Sequence, residues 1–400
     1  MRACFVLRTD LFHPSPVFRA LKEIRALQEA GVECSAVCWI KEITDLPAEE
    51  AIEGIRVIRI FRKPPAQRLS NLWQRYRELR SVTLELKVRL TSLQPNIVIA
   101  HDLEVLAAGV AAAQAVHARV LFDAHEDWPA MVGETSRIEG WLASFLERRL
   151  SRQVDATVTP SDSIRDKYRG RGLRAETLYN SPYRDEVDSL SDATTVERTR
   201  RELGMSGRFV LGYSGTLAPY RGLETTIDAL ALLPNDVVFL VVGGPDGERR
   251  RLEGVARERS VSDKIRFVGQ VLRADVPRFV AAFDLALVLL PPVSANYLQA
   301  LPNKVFDYMA AGIPVLTSDL PELRRLVEVD ARCGVAVRPD PSSVAAAVTS
   351  LRATPGPLKQ LGANGRTAFV ERFSWDHQAE QFLSLLRETG VPMEVSVARR

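Results

Sequence analysis

Short apolar runs alternate with amphipathic stretches along nearly the whole chain. Strand-like runs fall near Ala3–Leu7, Glu33–Trp39, Ile55–Ile60, Ile97–Ala100, Arg119–Phe122, Asp155–Thr159 and Glu176–Leu178. Continuous apolar runs of this length, bounded by turn residues, suit strands buried on both faces of a parallel sheet. Helical patterns separate several of them, as from Val17 to Ala30, where Gly31 supplies a stop. Beyond Asn180-Ser181-Pro182 the pattern weakens into a polar, charged stretch up to about Ser206, which reads as a linker. The rhythm then restarts with Phe209–Tyr213, Val237–Val242, Ile265–Val268, Leu285–Leu290 and Pro314–Thr317. The alternation predicts an α/β chain of two Rossmann-like, doubly wound domains with a cleft between the carboxyl ends of their strands. The expected boundaries are 1–185 and 207–373, with 186–206 as linker. Residues 374–400 are expected to form a helix packing back across both domains, and a tail.

Composition narrows the picture a little. The 400 residues are 46% hydrophobic and 26% charged, enough for two real cores, and the net charge of +3 gives no argument for nucleic acid. Cys4, Cys34, Cys38 and Cys333 show neither a disulfide framework nor zinc spacing, so reduced thiols are expected. The opening MRACFVLRTDLF is too short in its apolar run for a signal peptide, and no run reaches membrane-spanning length. A cytoplasmic protein is the expectation.

The richest segment chemically is Asn296 to Asp319, NYLQALPNKVFDYMAAGIPVLTSD. Pro302 is read as opening a helix, leaving the amides of Asn303, Lys304 and Val305 free to receive a phosphate. Lys304 adds a full positive charge, and Asp307, one turn on, offers an acceptor for a sugar hydroxyl. Taken alone, the segment reads better as an ordinary crossover helix with a proline start. Other strand ends add to it. Gly215-Thr216 to Arg221-Gly222 follows a buried strand, where glycines admit a ligand closely and an arginine can clamp a diphosphate. Gly243-Gly244 ends another strand. In the first half His101-Asp102 and Asp123-Ala124-His125-Glu126 put two of the five histidines just past buried strands. There is no GxSxG, HExxH or Walker lysine loop, and no carboxylate cluster suited to a metal.

In these motifs, and in Tyr179-Asn180, Phe267-Val268-Gly269 and Phe373-Ser374-Trp375, the chain resembles the GT-B glycosyltransferases of glycosyltransferase family 4 over almost its whole length. The resemblance implies a retaining, metal-independent enzyme that moves a sugar from a nucleotide-diphosphate donor. The donor would sit on the second domain and the acceptor on the first. Position by position, it implies that Arg221 corresponds to the family's phosphate-binding lysine, Asp307 to the second glutamate of its E-x7-E motif, and His125 to its active-site histidine. It assigns catalysis to His125, Arg221 and Lys304. Donor binding falls to Gly215, Thr216, Gly243, Gly244, Gly269, Gln270, Gln299, Leu301, Pro302, Asn303 and Asp307, and acceptor binding to His101, Asp102 and Glu126. Gly269 and Gln270 would hold the base. The chain departs from the pattern at Gln299, where the motif's first glutamate belongs, at the shortened Asp307, and at Thr216, which replaces an arginine. Lys304 would restore the missing charge. Phe12-His13-Pro14-Ser15-Pro16 replaces the family's glycine-rich acceptor loop, so acceptor chemistry does not transfer.

Residues 61–90 mix many Arg and Lys with Leu, Trp73 and Tyr76, a composition that suits either an anionic membrane surface or a solvated helix face. The membrane reading points to a glycan or lipid-linked acceptor in bacterial polysaccharide or cell-envelope assembly. Two other functions stay open. A sugar-nucleotide epimerase or a phosphorylase-like enzyme would need more acid/base groups or a pyridoxal lysine. A non-catalytic nucleotide- or partner-binding member draws its support from the three departures.

Overall fold

The computed structural model describes residues 1–14, 16–42, 44–62, 72–188 and 193–391. By contact the chain forms two units, Met1–Leu178 together with the chain from Ala379 onward, and Tyr179–Gln378.

The first unit is built on eight strands: β1 (Arg2–Leu7), β2 (Glu33–Ile40), β3 (Glu49–Ile52), β4 (Ile55–Phe61), β5 (Ile97–His101), β6 (Arg119–Asp123), β7 (Ala156–Thr159) and β8 (Ala175–Thr177). Their spatial order is β3-β4-β2-β1-β5-β6-β7-β8, parallel except where β3 meets β4. The second unit holds β9 (Phe209–Ser214), β10 (Val237–Val242), β11 (Ile265–Gly269), β12 (Leu285–Val288), β13 (Val315–Ser318) and β14 (Gly334–Val337). Their order, β11-β10-β9-β12-β13-β14, is wholly parallel. Both sheets reverse direction of winding beside their first strand, between β1 and β5 and between β9 and β12. Such switch points place ligand sites at the carboxyl ends of the strands.

Burial explains why the strands are so visible in the sequence. All of β5 and all of β10 are buried, because helices cover both faces of each sheet. The two strands absent from the sequence reading have other reasons. β3 is a half-exposed antiparallel edge strand of sequence EEAI, and β14 is only four residues long and partly exposed.

The stretch 186–206, expected to be a linker, carries the helix Ala193–Glu202. Arg200 ties it to the second sheet by donating to the Ala282 carbonyl at 3.0 Å and to Asp284 at 2.9 Å. Charged anchoring of this kind leaves no apolar pattern to read.

The last helix, Trp375–Glu388, begins in the second unit and is counted with the first from Ala379. Trp375 is fully buried and donates its amide to the Pro182 carbonyl, while Phe382, Leu385 and Leu386 are buried farther on. No helix among the described residues is long and apolar enough to cross a membrane. The four cysteines are free and buried, and burial lifts the Cys4 and Cys34 thiols to about 12.

Candidate functional site

A cavity of about 350 Å³ lies at the carboxyl end of β9. Its wall joins Gly215, Thr216 and Arg221, from the turn after β9, to Pro302, Asn303, Lys304 and Asp307, some eighty residues later in the chain. Tyr213, Ser214 and Arg273 complete its polar lining. Two bonds fix this wall. The Tyr213 hydroxyl donates to the Thr216 carbonyl at 2.7 Å, and the Ser214 amide donates to the Tyr308 hydroxyl at 2.9 Å.

Three cations face one carboxylate here. Lys304 Nζ stands 3.4 Å from the centre of the Tyr213 ring, a cation–π contact. A Cβ at Gly215 would come within 3.1 Å of that nitrogen, so glycine keeps the space open. Burial, and then the nearby Arg221 charge, hold the Lys304 ammonium well below the usual lysine range, with Asp307 opposing them. Arg221 makes no ion pair with any described residue. Arg273 donates to both oxygens of Asp307, at 2.5 and 3.0 Å.

Arg273 was not found by sequence reasoning. Its only signal is a position shortly past the carboxyl end of β11. Its pairing changes the expected role of Asp307, whose carboxylate meets any incoming hydroxyl already shared with a guanidinium. The helix start also needs correction. The helix runs Lys304–Ala310, and the Val305 amide donates to the Pro302 carbonyl at 3.1 Å. That amide is not free for a phosphate, so positive potential at this wall comes chiefly from side chains.

Gly243, Gly244, Gly269 and Gln270 form the turns next to the cavity without lining it. The Gly215 amide donates to Val242, the Leu217 amide to Gly244, and the Gly243 amide to Gly269, at 2.9, 2.6 and 2.8 Å. Gly243 has φ 143°, and a Cβ there would stand 1.8 Å from the Gly215 carbonyl oxygen. Only glycine lets the two turns approach so closely. Gln299, at the end of the short helix Ala295–Gln299, and Leu301 also lie outside the lining.

The first unit holds a second concentration of charge, at the ends of β5 and β6. Arg19 donates to both oxygens of Asp123, at 2.7 and 2.6 Å, and to the Leu178 carbonyl. His101 Nδ1 lies 3.1 Å from Asp123 and 2.9 Å from His125 Nε2. His101 Nε2 stands 3.4 Å from Glu23, an ion-pair distance whose angles fall short of a hydrogen bond. His125 also reaches Asp123 at 3.2 Å. Arg19 and Glu23 were missed as well, although their positions gave a signal. Residues 19, 20, 23, 24 and 27 make one buried stripe of the helix Phe18–Glu29, so two charges sit where the pattern wants apolar residues.

These surroundings redistribute the expected roles. His101 is 2% exposed and sits behind His125, which keeps it from touching an acceptor directly. Asp102 is buried and held by Arg8 at 2.9 Å. His125 and Glu126 remain half-buried and accessible, and burial, followed by Asp102, raises the Glu126 carboxyl. Burial disfavours charging His101, but Glu23 and Asp123 outweigh it and raise the ring to about 10. Burial also opposes ionising Asp123, yet Arg19 and the two histidines hold it well below the usual carboxylate range. Among the described residues, His101, Asp123 and His125 offer ligand atoms within 4.8 Å of one another. Arg19 already occupies both Asp123 oxygens, so a cation entering there would meet a guanidinium.

A stability profile follows. The His101 ring binds its proton more tightly folded than unfolded, so its contribution is complete below about 6.5 and lost as pH rises through about 10. Urea unfolding should therefore show stability declining over that window, with His101→Gln flattening the decline. An equally steep decline in the variant would remove His101 as its source.

Residues 208–353 match the family described as "Glycosyl transferases group 1", and residues 17–180 match the "Glycosyl transferase 4-like domain". The chain belongs to the family 4-like glycosyltransferases. Among curated relatives of this family 4-like chain is the alpha-D-kanosaminyltransferase of Streptomyces kanamyceticus, 26% identical over 64% of this chain and 66% of the relative. The putative colanic acid biosynthesis glycosyl transferase WcaI of Escherichia coli is 30% identical over 53% of this chain and 52% of its own length. These matches thus span half to two thirds of the relatives. Among solved structures, HepE from Anabaena in complex with UDP aligns with a TM-score of 0.73 at 18% identity, covering 97% of this chain and 100% of that one. Sucrose-phosphate synthase from Thermosynechococcus elongatus gives 0.76 at 20%, over 97% and 99%. The fold of this family 4-like chain is accordingly GT-B.

Proposed function

We propose that the protein is a hexosyltransferase that takes its sugar from a nucleotide-diphosphate donor bound in the β9 cavity. The observation that carries this reading is the cavity wall itself, with Arg221, Lys304 and Arg273 facing the single carboxylate of Asp307. Charge builds on the leaving diphosphate as the glycosidic bond breaks. Fixed cations in a half-buried cavity stabilise that charge with little reorganisation. The reaction is retaining and metal-independent in this reading, with the side chains doing what a divalent ion does elsewhere. The family resemblance assigns its active-site histidine to His125, which His101 and Asp123 hold in place. The acceptor is a glycan or lipid-linked sugar of bacterial polysaccharide or envelope assembly, met at the cytoplasmic membrane face through residues 61–90. Of that stretch, 63–71 lie outside the described residues, and 72–92 form a helix.

The test is thermal unfolding with EDTA present against UDP, GDP, CDP, TDP and ADP, since a ligand that binds only the folded state raises the melting temperature. UDP comes first, because HepE was crystallised with it. One nucleotide should stabilise the protein without metal, and the matching nucleotide sugar should release its sugar. Absence of any shift defeats the donor-site reading. A shift without sugar release, whatever acceptor is offered, favours a binding protein.

A further inference from the structure

The helix Arg137–Leu150 is amphipathic in the wrong sense for a surface helix. Its inner face carries Gly140, Ala143 and Glu147, all buried. Gly140 packs directly on Gly133, whose Cα would stand 2.6 Å from a Cβ at position 140. Glu147 is neutralised inside the unit by Lys167 at 3.0 Å and Arg171 at 2.5 Å. The outer face is apolar. Ile138 is 80% exposed, Trp141 69% and Phe145 50%, with Leu142 and Leu146 exposed beside them. The Trp141 and Phe145 rings stack, 6.2 Å apart and 17° from parallel.

Charge frames this face. Arg137 precedes it, Arg148 and Arg149 follow it, and Arg152 lies one turn beyond, all exposed. None of the four forms an ion pair with a described residue. A second helix, Leu72–Ser92, packs against the same neighbour, Leu103–Val116, and also exposes Leu84 and Val88 beside Arg80 and Arg89.

We infer that the outer face of Arg137–Leu150 docks on an anionic lipid surface, with Ile138, Trp141, Leu142 and Phe145 entering the interfacial layer and the flanking arginines binding lipid phosphates. Tryptophan and phenylalanine beside unpaired arginines suit that layer, where apolar depth and anionic headgroups occur together. A two-fold contact with a second copy would instead turn like-charged arginine clusters toward each other. The inference goes beyond residues 61–90 and does not depend on the donor cavity. Vesicle binding and nucleotide binding can therefore fail separately.

The experiment is co-sedimentation of the full chain with vesicles of phosphatidylglycerol and phosphatidylcholine, compared with phosphatidylcholine alone, at low salt. Wild type should bind the anionic vesicles and lose most of that binding on neutral ones. Trp141→Glu/Phe145→Glu and, separately, Arg148→Glu/Arg149→Glu should each weaken binding at least about tenfold, since each basic residue near the surface contributes appreciably to the attraction. Both variants should keep the wild-type melting temperature and nucleotide response. The arginine pair supplies the answer on its own should the aromatic variant fold poorly. Wild-type failure to bind anionic vesicles, or equal binding by the arginine variant, overturns the inference. So does a dimer in sedimentation equilibrium that Trp141→Glu/Phe145→Glu dissolves, which assigns the face to a second copy.

Discussion

Replacing Asp123 with alanine is expected to destabilise the protein by about 3–5 kcal/mol, the usual cost of breaking a buried ion pair from one side. Asp123 is wholly buried and accepts from Arg19 through both oxygens. Without it, Arg19 and the charged His101 ring keep Glu23 as the nearest counterion among the described residues, with Asp102 acting on Arg19 from farther off. Glu23 is a poor replacement as it stands, because burial and then Asp123 itself push its carboxyl up toward the neutral form. Losing Asp123 removes part of that pressure, so Glu23 should ionise and recover some of the loss. Glu23→Gln in the Asp123→Ala background should then cost more than Glu23→Gln alone. Urea unfolding at neutral pH of the two single variants and the double variant measures both quantities. A loss below about 1 kcal/mol for Asp123→Ala would mean that the cluster is solvated rather than buried.

Arg221→Ala and Lys304→Ala should each weaken binding of the stabilising nucleotide diphosphate about 10- to 100-fold. A hydrogen bond to a charged partner contributes roughly 1.5–3 kcal/mol, which is that range. The two should differ in their proton count. A guanidinium stays charged at any working pH. Lys304 is held low by burial and by Arg221, and an arriving diphosphate reverses the local charge and raises it again. Binding should then take up a fraction of a proton at a pH where Lys304 of the free protein is partly neutral, seen as a buffer-dependent heat in titration calorimetry. Lys304→Met should abolish that dependence and weaken binding over the same range. Unchanged affinity in Lys304→Ala would sink the idea that this lysine replaces the charge missing at Thr216.

How much of this was legible depended on what each residue does. Strands such as β5 and β10 were plain because both faces are covered, which forces unbroken apolar runs. β3 was hidden because an edge strand with one solvated face has no such need. The cavity wall was legible in part, since Gly215, Arg221, Pro302 and Lys304 belong to motifs at strand and helix ends. Arg273 was not, because an arginine in a polar stretch looks solvated until a carboxylate is found opposite it. The same holds for Arg200 in the supposed linker. His101 was correctly placed at a strand end, but sequence cannot tell a buried ring from one facing a ligand. That distinction rests on Arg19 and Glu23, which lie far from it in the chain.

The division of the chain has a consequence for how the protein is made. The second unit is one uninterrupted segment, Tyr179–Gln378, inserted into the first, whose remainder returns only from Ala379. Phe382, Leu385 and Leu386 are buried, and the Glu388 carbonyl accepts from Arg174 at 2.7 Å. On the ribosome, the inserted unit can complete its sheet while the one that began first still lacks its closing helix. The first unit must wait until the segment beyond Gln378 has been made, and a chain stalled before that point would carry one finished half and one open apolar seam.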